Sequence, residues 1–256
     1  MFASRQFNAY LQMLRFYPDK TKVIFFDLEY YVPAQDRDRS TPGGLTFSPV
    51  LPGHKILGGT FQTYFPMDDR MGKRTDLWEW TLGSEEKVLG GIYELFQREW
   101  KSIEAKDQAG SLMLSGIGIS HSDIPALLGR LSASPSLEKA RVYDLLCGCR
   151  QIDLSTATYC QFAFNTAYFA YPKKKSELYQ KYLNGKKLES GKSVWDMYEG
   201  GDYQSIESRC NEEIDDAIAI YKSMFDLKKR HDLSLKRLKK LEKELEAVGL
   251  FAEREL

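Results

Sequence analysis

An α/β fold built on a mixed sheet is what this chain predicts, and three observations carry it. Val23-Ile24-Phe25-Phe26 is an unbroken apolar run that fits a strand buried on both faces. Lys55 to Phe65 (KILGGTFQTYF) is a second strand-like segment dense in aromatic and β-branched residues. Thereafter helix and strand patterns alternate, as they do when helices cover a sheet.

Taken in order, the first strand ends on Asp27-Leu28-Glu29. Strand side chains alternate, so Asp27 and Glu29 leave the same face. Burying an unpaired carboxylate costs several kcal/mol, and a strand ending this way needs cations or water beside it. Tyr31 to Pro52 is rich in Pro, Gly, Ser and Thr and leaves room for a short strand around Gly44 to Val50. That strand would join the other two in an antiparallel set, with Gly58-Gly59 marking a bulge. Ser84 is placed to cap a helix with Glu85 and Glu86 in its first turn, and Val88, Leu89, Ile92, Leu95 and Phe96 supply its 3.6-residue apolar stripe up to Trp100. Ser111 to Ile119 (SLMLSGIGI) reads as another buried strand. Asp123-Ile124-Pro125 enters a helix that runs through Leu131, with Pro in the tolerated first turn. Arg141 to Leu154 fits a helix–strand unit closing on Ile152-Asp153-Leu154, in which Asp153 reads as structural. A last long helical pattern starts near Tyr203, with a bend expected at Arg209 to Glu212. Beyond Asp226, Leu238, Leu241, Leu245 and Val248 recur three and four apart as a short heptad seam that Gly249 can stop. Residues 1–226 are therefore read as one domain and 227–256 as a helical, Lys-rich C-terminal extension.

Composition sets the bounds. The chain has 256 residues, 43% hydrophobic and 28% charged, with 36 Lys+Arg balancing 36 Asp+Glu. These values exclude a disordered or collagenous chain, and the apolar runs fall far short of a bilayer span. Cys147, Cys149, Cys160 and Cys210 form no CxxC pair, and with only His54, His121 and His231 they make no zinc site. Free thiols and the absence of a signal-type apolar stretch in Met1 to Tyr17 lead to the expectation of a cytoplasmic protein without a membrane partner. Basic residues are local: Lys173, Lys174, Lys175, Lys181, Lys186 and Lys187 enclose Tyr179 and Tyr182, and a second basic run includes Lys228, Lys229, Arg230, Lys236, Arg237, Lys239 and Lys240. Cations with interleaved aromatics suit phosphate contacts and base stacking, with Trp195 a further stacking candidate; a solvated lysine-rich face is the alternative.

Three acidic patches stand about ninety residues apart: Asp27-x-Glu29, Asp123, and Glu212-Glu213-x-Asp215-Asp216. Each lies beside a strand end or a helix start, which suits convergence on hard divalent cations. The three segments VIFFDLE, GISHSDIPALLGR and YEGGDYQSIESRCNEEIDDAIAIY resemble the exonuclease motifs of the DEDD superfamily, the ribonuclease H-like 3′–5′ exonucleases that include polymerase proofreading domains. The likeness spans Val23 to about Met224. Its middle motif is the most specific: Asp123, Ile124, Pro125 and Leu127 match the family's Asp-apolar-Pro-x-Leu run.

The resemblance implies a ribonuclease H-like mixed sheet flanked by helices and metal-dependent 3′–5′ exonucleolytic hydrolysis of DNA or RNA at single-stranded ends. Two Mg²⁺ or Mn²⁺ ions, roughly 4 Å apart in such sites, would be held by Asp27, Glu29, Asp123 and either Glu213 or Asp216. The third motif departs from the family. One register sets Arg209 at the family's Tyr and Glu213 at its Asp; the other sets Asn211 at the His and Asp216 at the Asp. Either way the water-orienting Tyr or His is missing, and His121 is the candidate substitute. The competing expectation is a non-catalytic nucleic-acid-binding or scaffold protein of the same fold. A homo-oligomer or partner helix is expected at Leu238, Leu241, Leu245 and Val248.

Overall fold

The computed structural model describes residues 21–39, 45–104, 112–158, 162, 172–187 and 191–247. The sheet is assembled from β1 (Lys22–Tyr31), β2 (Lys55–Phe65), β3 (Arg70–Trp78), β4 (Leu112–Gly116) and β5 (Arg150–Asp153). Their spatial order is β3-β2-β1-β4-β5. The first three form an antiparallel meander, whereas β4 and β5 join parallel to β1. The helices are α1 (Glu79–Leu82), α2 (Glu85–Glu104), α3 (Asp123–Ala133), α4 (Lys139–Gly148), α5 (Leu154–Ala157), α6 (Lys175–Tyr182), α7 (Ser193–Glu199) and α8 (Tyr203–Ala247). A five-stranded mixed sheet with helices on both faces is the ribonuclease H-like α/β architecture expected from the motifs.

The apolar run of β1 is explained by its central place. Ile24, Phe26 and Leu28 pack into a core with α2, α3 and α4, where Phe26 stacks on Phe61 at 5.8 Å and meets Phe96 edge-on at 5.7 Å. Val23 and Phe25 pack on the other face against α6 and α8, with Phe25 edge-on to Tyr221 at 5.2 Å. A strand covered on both sides has no polar position to alternate with. Asp27 and Glu29 continue the series 23, 25, 27, 29 on the α8 face.

Two expectations are corrected. The third early strand is not at 44–50: Gly44 lies outside the described residues, residues 45–48 have no regular structure, and 49–50 form a turn. The strand is β3, whose sequence RMGKRTDLW sits at the sheet edge with most side chains partly exposed, so it carries no apolar alternation. Second, α8 does not bend at Arg209 to Glu212; it is one helix of 45 residues, about 67 Å long at 1.5 Å per residue. It passes through the 226/227 boundary, so residues 227–247 are the outer half of a helix whose inner half is core. Ser84 caps α2 as expected, accepting from Lys87 N at 3.3 Å, and the Asp123 carboxylate at the start of α3 turns to β1.

Leu233, Leu235, Leu238 and Leu241 on outer α8 are 42–56% exposed. The Leu245 side chain and Val248 lie outside what is described. Among the described residues no helix is long and apolar enough to cross a membrane.

The register of β1 and β2 slips between Glu29 and Tyr30, opposite Gly58. Gly58 has φ +141°, and a Cβ on Gly59 would lie 2.3 Å from the Asp27 carbonyl oxygen and 2.8 Å from Leu28 Cδ2. The glycine pair is thus required where the acids leave the strand. Gly59→Ala is expected to destabilise the fold by about 1–3 kcal/mol through overpacking, read by urea denaturation; an unchanged midpoint would show that β1 can shift freely at Asp27.

Candidate active site

The parallel pairing of β1 with β4 ends at Phe25 and Ser115. Beyond it β1 runs on without a strand neighbour on that side, and α3 moves in. Asp123, the first residue of α3, accepts from Leu28 N at 3.0 Å and from the Tyr30 hydroxyl at 3.1 Å through one oxygen, and from the Ser122 hydroxyl through the other. A side-chain carboxylate thereby takes the backbone donor that a strand would otherwise have bonded. Asp153 fixes the approach from behind: it accepts from Gly118 N at 2.9 Å and Ser120 N at 3.0 Å, and it caps α5 through Ser155 N at 2.9 Å. Its role is structural, as expected, and those bonds outweigh burial and hold its pKa low.

The opposite wall comes from α8. Ile214, Ala217, Ile218 and Tyr221 bury this helix against the sheet, and one turn before Ile214 the helix presents Arg209, Cys210 and Glu213. The Cys210 thiol donates to the Asp27 carbonyl oxygen at 3.4 Å, pinning helix to strand. Arg209 pairs with Glu29, 180 residues away, and with Glu213 at 2.7 Å. Lys175, the first residue of α6, pairs with Glu213 from the other side. Helical side chains point back toward the N-terminus, so the first residue of α6 reaches beyond its helix end. Lys173 N to Ser155 O at 2.8 Å and the buried Leu178 and Tyr179 fix that helix in place.

Asp27, Glu29, Asp123 and Glu213 all line one cavity of about 330 Å³, together with Lys175 and Arg209. Val32, Phe47 and Trp195 give it an apolar wall. The side chains of Glu29 and Glu213 are only 8% and 7% exposed, and that of Arg209 is 14% exposed. Burial therefore governs the titration. It pushes Asp27 well above the usual carboxylate range, with the Glu213 charge adding to it. It pushes Glu29 up to about 8 against the opposing pull of Arg209. Burial likewise raises Asp123 to about 6 although Ser122, Tyr30 and Leu28 N favour its charged form. Glu213 alone moves down, because Lys175 and Arg209 together outweigh its burial.

The remaining expected residues are distributed as follows. Asp216 is buried but sits in a separate pocket of about 340 Å³, paired with Lys186 at 2.8 Å, so it is Glu213 that joins Asp27. His121 does not line the acidic cavity: its side chain is 63% exposed and its Nδ1 lies 2.9 Å from Ser120 Oγ. Tyr179 is 1% exposed and cannot stack on a base. Lys181 and Lys173 lie over the Phe162 ring at 4.6 and 5.0 Å, and Tyr182 meets that ring edge-on. Lys174 N donates to Glu177 Oε2 at 2.8 Å, capping the start of α6. Lys175, expected on a nucleic-acid face, is instead an internal counter-charge. The Tyr30 hydroxyl and the internal roles of Arg209 and Lys175 escaped sequence reasoning; the one signal for them was the need of a buried Asp-x-Glu for cations.

Among the described residues no three His, Cys, Asp or Glu side chains are already grouped tightly enough to cage an ion. Compared with known proteins, the chain matches no family model and no curated protein.

The raised pKa values set a direction for stability. Unfolded carboxylates titrate at about 4, whereas Glu29 and Asp123 hold their protons to about 8 and about 6. Across that window the folded state binds more protons, so its stability falls as pH rises; Glu213, with a lowered value, acts only below about pH 4. Metal-free protein in EDTA is expected to resist urea better at about pH 5.5 than at about pH 8.5. A stability that climbed over the same range would contradict the buried, proton-binding site.

Proposed function

We propose that this chain is a metal-dependent 3′–5′ exonuclease that hydrolyses phosphodiester bonds of DNA or RNA. The observation that supports it is the meeting of Asp27, Glu29, Asp123 and Glu213, from three remote segments, in one cavity large enough for part of a nucleotide. Structural acids are seldom concentrated in this way, because buried like charges repel. The 3′–5′ polarity comes from the resemblance of the three motifs.

The donor set is all carboxylate oxygen, the chemistry that suits Mg²⁺ or Mn²⁺. Asp27 and Asp123 would hold such an ion, with Glu29 or Glu213 joining on release from Arg209. When bound, a divalent ion supplies positive charge to the phosphoryl oxygens and lowers the pKa of a nearby water. The chain's own residues do the rest. Lys175 and Arg209 place fixed positive charge beside the scissile phosphate. Tyr30, Ser122 and Leu28 N hold the Asp123 carboxylate in one orientation. Val32, Phe47 and Trp195 offer an apolar wall to a sugar or base and keep water from that side.

A second reading, nucleic-acid binding without hydrolysis, is favoured by one observation: Arg209 already engages Glu29 and Glu213. Single strands of DNA and RNA labelled at either end, incubated with Mn²⁺ and the wild-type chain or Asp27→Ala, separate the two. Release of mononucleotides from the 3′ end, lowered about 10²-fold or more in the variant, is expected. Release that persists unchanged would place the chemistry elsewhere, and binding without release by either protein would favour the second reading.

A further inference from the structure

Charge balance in the acidic cavity distinguishes it from a site made for two ions. Four carboxylates face it, and three of its lining residues, Lys175, Lys192 and Arg209, are cations. Lys175 and Arg209 are not bystanders on the rim. Arg209 bridges Glu29 and Glu213, and Lys175 takes Glu213 from the opposite side, so the β1–α8 half of the cluster is already neutralised from within. Asp27 and Asp123 form no direct ion pair: the carboxylate of Asp123 is met by Leu28 N and two hydroxyls, and that of Asp27 by the Cys210 thiol at 3.7 Å, with only the charge of Lys175 reaching it. Even with all four carboxylates ionised, three cations leave an excess of one negative charge, which one divalent ion already offsets and a second would overshoot further.

The setting of Arg209 points the same way. Its Nε is buried with no hydrogen-bond partner among the described residues. A buried guanidinium with an unpaired N–H is poorly satisfied as a hydrogen-bonding group, so what it supplies there is charge. We infer that Arg209, assisted by Lys175, takes the place of one of the two divalent ions, and that the cavity binds a single ion on its Asp27–Asp123 side. The inference rests on the metal-dependent reading above and departs from the two-ion expectation of the motifs.

Titration of the full chain with Mn²⁺, following the free-ion electron paramagnetic resonance signal in the absence of nucleic acid, counts the ions directly. One tightly bound Mn²⁺ per wild-type chain is expected, rising to two in Arg209→Gln, which frees Glu29 and Glu213. The same variant should lose thermal stability in EDTA and regain more of it on adding Mn²⁺ than wild type gains. Arg209→Lys, which keeps the charge, should remain at one ion and keeps the comparison open if Arg209→Gln does not fold. Two ions in wild type would overturn the substitution of Arg209 for an ion while leaving metal-dependent hydrolysis standing. A single ion in both wild type and folded Arg209→Gln would also overturn it. No bound Mn²⁺ in any of the proteins would overturn both.

Discussion

Four acidic side chains cannot share a mostly buried pocket unless positive charge is brought in with them, and the site is organised around that constraint. Water would screen the repulsion at a surface, but Glu29 and Glu213 are more than nine-tenths buried. Each carboxylate has been given a different answer. Glu213 receives two cations, Glu29 shares one of them, Asp123 is held by hydroxyls and a backbone N–H, and Asp27 meets a thiol and feels the charge of Lys175. On the proposed metal-dependent reading, the Asp27–Asp123 side is where an added cation would go.

The sheet makes this possible by stopping early. β4 pairs with β1 only as far as Phe25, while β2 continues alongside to Tyr31. Residues 26–31, more than half of β1, therefore have one edge bonded and one edge without a strand, and the acids stand where that edge begins. Ligand sites in open α/β sheets gather at such strand ends. α8 closes the other side because its inner half is buried by Ile214, Ile218 and Tyr221, and its rigidity carries Arg209 and Glu213 to fixed positions. The packing that stabilises the domain and the geometry of the pocket are thus one arrangement: the apolar series Val23, Phe25 draws in the helix that then meets Asp27 and Glu29.

Much of this was legible in the residues. The buried run before Asp27, the stripe of α2 and the Asp-Ile-Pro start of α3 follow periods or spacings that local physics enforces, whereas two registers of α8 left Glu213 and Asp216 undivided until the fold placed them. β3 was not legible, because an edge strand with one side in water has no obligatory apolar pattern. Lys175 was misplaced for a different reason. A lysine in a run of lysines reads as surface, and only tertiary structure shows that the first residue of α6 turns to Glu213. Tyr179 failed similarly, its apolar ring drawn into the core beside Leu178. Arg209 stood out as the residue occupying the tyrosine's register, yet its partners, 180 residues away in one case, are a property of the fold alone.

The central claim is that the acids of β1 and α8 are held together by internal cations across that sequence distance. A double-mutant cycle between Glu29→Gln and Arg209→Gln, measured by urea denaturation in EDTA at about pH 9, above the value of about 8 to which burial pushes Glu29, tests it most directly. A favourable coupling of about 1–3 kcal/mol between the two positions is predicted for charges in contact. Additive effects, with no coupling beyond experimental error, would contradict it.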